Sequence, residues 1–274
     1  MDDLAFLDFV ADFSSPAVVR SYDELPLWSA MFGLLLLDEV PLANVRDALD
    51  VGCGTGFPLI ELADRLGSAA TVHGLDPWTA ALERARQKLA DRGTPNVVLH
   101  EGSASSMLFD DAAFDLIVSN LGLNNFDDRA GAIRECRRVA REGATLALTT
   151  NLQGHMQEFY AVFEDVLRAR NDERAIERLH EHVEHRATVD SVRTLLEDGG
   201  FHVVRVVERR GTMRFASGTA LLDHYFIKLG FLEAWKDVAR EERQDVFREL
   251  RTRLDAHGTL TLTIPMAYIE ARPA

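Results

Sequence analysis

A strand, a glycine-rich turn and the start of a helix follow one another within residues 46–66, and this stretch constrains the fold more than any other. The apolar run that ends at Val51 is typical of a buried parallel strand. Three glycines at alternate positions within 52–56 then predict a sharp turn, and Pro58 suits the first turn of a helix. Such a turn leaves bare backbone and free amides at a helix N-terminus, where a ligand can lie close to the main chain.

The side chains of this turn exclude two common nucleotide-binding loops. A dinucleotide fingerprint needs a third glycine or alanine three residues after the second, where this sequence has Phe57 or Leu59. A phosphate-binding loop needs Gly-Lys followed by Ser or Thr, and the turn contains no lysine. The predicted ligand is therefore neither a dinucleotide nor a nucleoside triphosphate.

An acidic residue ends the second apolar strand, residues 71–76. Asp76 stands 20 residues after Gly56, a distance at which a carboxylate at a strand end can accept both hydroxyls of a ribose. Trp78 follows two residues later, and its amphipathic ring suits either contact with a base or anchoring of the next helix. Both interpretations of Trp78 stay open at this point.

Strands and helices alternate between residues 46 and 150. Such a repeat builds a parallel sheet with helices on both faces, so we predict an α/β fold with a doubly wound, mostly parallel sheet of seven strands. The predicted elements of the repeat are strands at 46–51, 71–76, 96–101, 113–119 and 143–150 and helices at 58–66, 78–91 and 128–141.

Helical segments flank this repeat on both sides. The whole chain, 1–274, is predicted to be one domain, with an N-terminal helical part at 1–45, a ligand-binding core at 46–150 and further helices and terminal strands at 151–274. The predicted outer elements are helices at 2–13, 26–40, within 153–199 and within 217–257, and strands at 201–207 and 259–269.

Charge and cysteine content bear on the class of partner and the compartment. Thirty Lys and Arg residues oppose 44 Asp and Glu, so the net charge is −14, which disfavours nucleic acid as a partner. Cys53 and Cys136 do not make a disulfide framework, and the N-terminus has no signal-peptide charge pattern. The longest apolar stretch, 27–37, is too short to cross a bilayer, so the expected location is the cytoplasm, away from the membrane.

Several motifs together resemble the class I S-adenosylmethionine-dependent methyltransferases. Leu-Asp-Val-Gly-Cys-Gly-Thr-Gly at 49–56 is similar to their motif I, and Asp76, Gly-Ser-Ala at 102–104 and Phe-Asp-Leu-Ile-Val-Ser-Asn at 114–120 extend the resemblance. The chain is most similar to the small-molecule branch related to ubiquinone and menaquinone methyltransferases. The resemblance implies a Rossmann-like methyltransferase fold that transfers a methyl group from S-adenosylmethionine to a small molecule and releases S-adenosylhomocysteine.

The resemblance also assigns candidate cofactor-binding residues. It places the glycine turn under the methionine moiety, Asp76 on the ribose, Ser103 and Ala104 at the adenine and the Asn120 backbone at the methionine amine. Ser103 stands where the family often has aspartate, so a weaker hydrogen bond to the adenine is expected. The full predicted set is Asp50, Gly52, Cys53, Gly54, Gly56, Asp76, Pro77, Trp78, Ser103, Ala104 and Asn120.

Two helical segments are candidates for a lid over this site. Bulky apolar residues concentrate in 26–40 and 217–236, which can either wall an apolar pocket for the acceptor or only cover the sheet. In many members of the family a tyrosine of the N-terminal segment closes over the cofactor, and Tyr22 is the candidate here. The alternative is that Tyr22 belongs to a turn that caps the following helix.

Methyl transfer needs an aligned acceptor, exclusion of water and, for some acceptors, removal of a proton. His155, shortly after the fifth strand, is the candidate base, although it also suits a loop or a helix cap. The histidines within 180–185 match no zinc signature, so no metal is expected. The alternatives are a protein or nucleic-acid methyltransferase and a non-catalytic S-adenosylmethionine-binding protein, and the acceptor, the methylated atom and the oligomeric state stay open.

Overall fold

The computed structural model describes residues 4–24 and 27–274, so the first residues of the helices predicted at 2–13 and 26–40 lie outside the described residues. The chain divides into two compact units. We call them the sheet unit, which contains residues 13–151, 187–209 and 266–274, and the helical unit, which contains residues 4–12, 152–186 and 210–265.

The sheet has seven strands in the order β3-β2-β1-β4-β5-β7-β6. Strands β1 to β5 pair in parallel with one another, whereas β7 is antiparallel to β5. The central strands are almost wholly buried because helices cover both faces of a parallel sheet. The strands are β1 (Asp47–Val51), β2 (Thr71–Asp76), β3 (Val97–Glu101), β4 (Phe114–Asn120), β5 (Ala140–Asn151), β6 (Phe201–Phe215) and β7 (Leu260–Pro273).

Six helices belong to the sheet unit, and side-chain caps fix the beginnings of two of them. Asp128 accepts a hydrogen bond from the Gly131 N–H, and Thr188 forms a reciprocal capping box with Ser191. These helices are α1 (Pro16–Glu24), α2 (Leu27–Glu39), α3 (Leu59–Leu66), α4 (Thr79–Arg92), α5 (Arg129–Val139) and α8 (Val189–Asp198).

The alternating repeat predicted between residues 46 and 150 is confirmed, and so is the seven-stranded, mostly parallel sheet. The helix predicted over 2–13 is wrong within the described residues. Only Ala5–Asp8 forms a single 3₁₀ turn there, and Val10 is 78% exposed, so the apolar residues do not share one helix face. Pro16 begins α1, because proline is tolerated in the first helical turn.

The helical unit has an aromatic core. Phe159, Phe163, Trp235 and Phe247 are each 0% exposed, and the Phe159 and Trp235 rings stack with centroids 4.1 Å apart. Within the described part of the chain, no helix combines the length and apolar character needed to span a membrane. The helices of this unit are α6 (Gln157–Ala169), α7 (Glu173–Glu184), α9 (Gly218–Asp223), α10 (Tyr225–Gly230), α11 (Leu232–Ala239) and α12 (Arg243–Ala256).

A histidine pair couples β2 to the edge strand β3. His73 Nδ1 lies 2.9 Å from His100 Nε2, and the two rings stack with centroids 5.1 Å apart. Burial lowers the pKa of both imidazoles, and the charge of His100 lowers that of His73 further. The pair therefore stays neutral in the fold at pH values where an unfolded histidine takes up a proton.

We expect this pair to make the protein less stable in weak acid. As the pH falls below 6.5, the unfolded histidines bind protons before the folded ones, so the melting temperature should fall. His100→Gln, which keeps a partner for His73 without titrating, should flatten part of that fall. Thermal denaturation of the wild type and the variant across this pH range separates the effect of the pair from that of the other buried histidines. If the melting temperatures of both proteins fall equally with pH, the expectation is contradicted.

Candidate functional site

The glycine turn after β1 is bonded directly to the carboxylate that ends β2. The Gly54 N–H donates to Asp76 Oδ2 at 2.8 Å, and the Trp78 N–H donates to Asp76 Oδ1 at 2.8 Å. Burial raises the pKa of Asp76, which is 8% exposed, while these two backbone N–H groups lower it. Each carboxylate oxygen keeps a lone pair after these bonds, so Asp76 can still accept hydrogen bonds from two neighbouring hydroxyls.

The surface above Gly54 is open. Gly54 has a φ of +52°, and a Cβ at this position would have no atom within 4 Å. At Gly122 the opposite holds, because a Cβ would lie 2.2 Å from Ser119 Oγ and 2.8 Å from the Val51 carbonyl oxygen. Glycine therefore permits the close approach of the β1 and β4 ends at Gly122 and leaves room for a ligand at Gly54.

Asp50 is enclosed beneath the turn. It is 0% exposed, and within the described part of the chain only the backbone N–H of Leu59 acts on its carboxylate as a hydrogen-bond donor, which lowers the pKa of Asp50 less than burial raises it. Burial, with a smaller contribution from the charge of Asp76, raises the pKa of Asp50 to about 8. Cys53 is also buried, and burial raises the pKa of its thiol well above the usual value, so Cys53 is an inert thiol at neutral pH.

Asp50→Asn is expected to stabilise the ligand-free protein at neutral and higher pH. Because the folded pKa of Asp50 is about 8 and the ordinary value is 3.8, the folded protein favours the protonated carboxyl, and wild-type stability is lost as the pH rises between these values. Asparagine resembles the protonated form and does not titrate. Melting temperatures should therefore coincide in acid and diverge by several degrees in favour of the variant above pH 8.

Asp47→Asn is the matched control for that measurement. Asp47 lies on the same strand, but its carboxylate pairs with Arg141 at 2.8 Å. This variant should keep the pH slope of the wild type. If the melting temperature of Asp50→Asn also depends on pH as that of the wild type does, Asp50 is ionised in the folded protein.

Asn120 joins α2 to the carboxyl ends of β4 and β5. Its Nδ2 donates to the Ser29 carbonyl at 3.1 Å, and its Oδ1 accepts from Thr149 Oγ1 at 2.8 Å. The side chain is therefore occupied, which is compatible with the predicted contact because that contact uses the Asn120 backbone. Sequence reasoning missed Ser29 and Thr149, since only the fold brings these three segments together.

A second polar network of the same strand ends was also missed. Asn124 donates through Nδ2 to Asn151 Oδ1, and its own Oδ1 accepts from Thr150 Oγ1 at 3.0 Å. The asparagine-rich run that follows β4 could have indicated Asn124 as a site residue. Nothing in the sequence spacing pointed to Asn151.

Trp78 anchors the N-terminal segment of the sheet unit. Its Nε1 donates to the Phe13 carbonyl at 2.7 Å, and its ring makes edge contacts with Phe13 and Tyr22 at centroid distances of 5.6 and 5.4 Å. Trp78 thus holds the preceding N-terminal segment, and both its anchoring of the next helix and its contact with adenine stay predictions. Pro77 beside it is exposed.

Helix α1 is fixed to α4 by charge. Asp23 accepts from Arg84 Nε at 2.8 Å and from Lys88 Nζ at 2.6 Å, and these bonds outweigh burial in lowering its pKa. Tyr22, next to it, lies within α1, so the turn interpretation of Tyr22 is wrong. Burial and then the charge of Asp76 raise the pKa of the Tyr22 phenol, and the Tyr22 ring contacts that of Trp78, two residues after Asp76.

The loop after β3 also reaches Asp76. The Gly102 N–H donates to the Asp76 carbonyl at 3.2 Å, which places the following residues beside the end of β2. Ser103 is exposed, and its Oγ lies 3.1 Å from the Oγ of Ser105. Ala104 is 9% exposed. Ser103 is therefore accessible for the predicted hydrogen bond to adenine.

His155 belongs to the helical unit, whereas the predicted cofactor-binding residues belong to the sheet unit. It is 1% exposed, and its ring centroid lies 5.4 Å from that of Phe231. Burial, followed by the charges of Arg186 and His182, lowers the pKa of His155 well below the usual value. His155 is thus neutral but weakly basic, and its role as a general base stays a prediction.

No cluster of three or more His, Cys, Asp or Glu side chains suited to a metal ion occurs among residues 4–24 and 27–274. The residues at the site do fit an adenosyl cofactor. They combine an open glycine at Gly54 with a carboxylate at Asp76 that is fixed by backbone and still able to accept hydrogen bonds.

Curated relatives match part of the chain. A demethylmenaquinone methyltransferase of Anoxybacillus flavithermus is 35% identical over 137 residues, which are 47% of this chain and 58% of that protein. Another, from Listeria welshimeri, is 29% identical over 174 residues, 60% of this chain and 74% of that protein. The chain thus spans little more than half the length of the first of these relatives.

Solved structures share the fold at low sequence identity. An S-adenosylmethionine-dependent methyltransferase from Aquifex aeolicus has a TM-score of 0.55 at 22% identity, covering 70% of this chain and 92% of its own. The [4+2]-cyclase SpnF has a TM-score of 0.55 at 19% identity, covering 89% of this chain and 80% of its own. Both likenesses support the predicted Rossmann-like fold.

A family described as "Methyltransferase domain" matches residues 45–200, more than half of the 274-residue chain. That match begins just before β1 and includes the glycine turn, Asp76, the loop after β3 and Asn120. It confirms the resemblance that the sequence motifs carry. The chain therefore belongs to the methyltransferase-domain family.

Proposed function

We propose that this chain binds S-adenosylmethionine at the glycine turn and Asp76 and transfers its methyl group to a small-molecule acceptor. The observation that carries the proposal is the hydrogen bond between Gly54 and Asp76, which joins an open glycine to a buried carboxylate that can accept two ribose hydroxyls. When bound, the cofactor supplies an electrophilic methyl group on a sulfonium. Gly54 and Asp76 would hold it, Ser103 would accept from its adenine, and the Asn120 backbone would face its amine.

A small acceptor is favoured over a nucleic acid by charge. The net charge of −14 repels a phosphate backbone. The curated relatives are named for demethylmenaquinone, which supports an acceptor with an apolar body. In the sheet unit, Trp28 of α2 is partly exposed, and its ring centroid lies 5.1 Å from that of Phe32. We propose that α2 contributes to the acceptor site.

We also propose a cytoplasmic location, because both cysteines are buried free thiols, as expected in a reducing compartment. The proposed lid at 217–236 is supported less well than α2. Leu221, Leu222 and Trp235 are each at most 1% exposed within the helical unit, as expected for residues that form its core.

The second candidate function is cofactor-dependent chemistry other than methyl transfer. The structural likeness to SpnF, a [4+2]-cyclase, favours it, because the same fold there carries a different reaction. The two are separated by incubating the protein with methyl-labelled S-adenosylmethionine and a metabolite extract. Label in a small organic product supports methyl transfer. Tight binding of S-adenosylhomocysteine with no labelled product would favour the second candidate, and absence of binding would contradict both.

A further inference from the structure

Helix α1 lies beside the proposed cofactor site, within the sheet unit. The Tyr22 ring contacts that of Trp78 with centroids 5.4 Å apart, and the Trp78 N–H is one of the two backbone groups that hold Asp76. At the glycine turn, Thr55 is a hydrogen-bond partner of the Asp23 carboxylate. Helix α1 therefore contacts the neighbours of both parts of the site, while the surface above the turn stays open.

Helix α1 has little apolar anchorage of its own. The structure describes all nine of its residues, and among them Val19 alone is buried. A helix this short is only marginally stable by itself, so its position depends on contacts with other elements. Elements that bury few apolar groups are the ones that open most readily in a folded protein.

A single carboxylate supplies the main polar contacts between α1 and α4. Asp23 accepts a hydrogen bond from Arg84 Nε at 2.8 Å and another from Lys88 Nζ at 2.6 Å. The side chains of Asp23, Arg84 and Lys88 are 9%, 25% and 20% exposed, so salt screens these ion pairs only in part. Burial raises the pKa of Asp23, but the bonds with Lys88, Arg84 and Thr55 together lower it, so Asp23 is charged at neutral pH.

We propose that α1 is a lid over the cofactor site and that Asp23 is the latch that holds this lid closed. The inference rests on the proposed function. When the bonds of Asp23 to α4 break, α1 moves away and the cofactor or its product exchanges with solvent. When they form, α1 shields the site from water. Asp23 is thus a positioning residue, because it acts through α1.

The rates of S-adenosylhomocysteine binding to the immobilised full chain, measured by surface plasmon resonance, test the latch. Asp23→Asn should raise the association and the dissociation rate constants each by at least about fivefold, because a weaker latch populates the open lid with and without ligand. The dissociation constant should change less than either rate constant. Higher ionic strength should accelerate both steps in the wild type but not in Asp23→Asn.

Three further variants separate the latch from a structural role. Asp23→Glu keeps the charge and should restore slow exchange in part. Lys88→Gln removes one of the two bonds to α4, so it should accelerate both steps less, and it carries the test if Asp23→Asn does not fold. Asp64→Asn is the matched control, because Asp64 of α3 pairs with Arg92 of α4 at 3.6 Å without contacting α1. Both of its rate constants should equal those of the wild type.

Amide hydrogen exchange measures the lid directly. Bound S-adenosylhomocysteine should slow exchange within Pro16–Glu24 in the wild type, and Asp23→Asn should speed it in the ligand-free protein. A wild type that does not bind S-adenosylhomocysteine would overturn both the proposed function and the lid. If the wild type binds it, the lid alone is overturned by unchanged rate constants in Asp23→Asn, by slower association in that variant, or by exchange in α1 that does not respond to the ligand.

Discussion

Asp76→Ala should weaken the binding of S-adenosylhomocysteine by roughly 1.5–3 kcal/mol, the usual cost of removing a charged hydrogen-bond acceptor. In the wild type the Asp76 carboxylate is fixed by the N–H groups of Gly54 and Trp78, so it is already oriented before a ligand arrives. The alanine variant loses both this orientation and the acceptor for the ribose. Isothermal titration of the product, which needs no acceptor molecule, measures the loss directly.

Glu101→Gln is the matched control for Asp76→Ala. Glu101 lies directly opposite Asp76 in the parallel pairing of β2 and β3, but its side chain is exposed. Its neutralisation should leave the affinity for S-adenosylhomocysteine nearly unchanged. Equal losses in the two variants would show a general effect of negative charge, and unchanged affinity in Asp76→Ala would remove Asp76 from the site.

Gly54→Ala should abolish most of the cofactor affinity while the protein stays folded. The added methyl group would enter the open space above the turn, where we propose that the cofactor lies, and crowding there should cost binding roughly 1–3 kcal/mol. The Gly54 N–H, and with it the bond to Asp76, is retained in this variant. The positive φ of +52° should cost about 1 kcal/mol of stability, because alanine is strained in this region.

Gly93→Ala separates that backbone strain from the loss of the ligand space. Gly93 follows α4 with a φ of +67°, and a Cβ there also has no atom within 4 Å. Both variants should melt earlier by a similar amount, measured by thermal denaturation, but only Gly54→Ala should bind S-adenosylhomocysteine poorly. Wild-type affinity in Gly54→Ala would mean that no ligand occupies the space above the turn.

The N-terminal segment shows where local sequence pattern and tertiary structure disagree. Its apolar residues have the spacing of an amphipathic helix, yet Leu4, Phe6 and Leu7 reach the interior from a single 3₁₀ turn. Helix α1 was not predicted because it is short and begins at a proline, which suggests a break. Contacts with distant residues stabilise it, chiefly the pairing of Asp23 with Arg84 and Lys88.

The sequence by itself determined the alternating core of this protein, the glycine turn and Asp76. Those features are local: a buried parallel strand is a continuous apolar run, and a tight turn between strand and helix needs glycine, so each is written in consecutive residues. The family match over residues 45–200 covers this same stretch. Only the tertiary structure decided which side chains meet at the strand ends, such as Asn120 with Ser29 and Thr149. It also decided that His155 lies buried beside Tyr160 and Phe231, because such contacts depend on how distant segments pack and no periodicity along the chain records them.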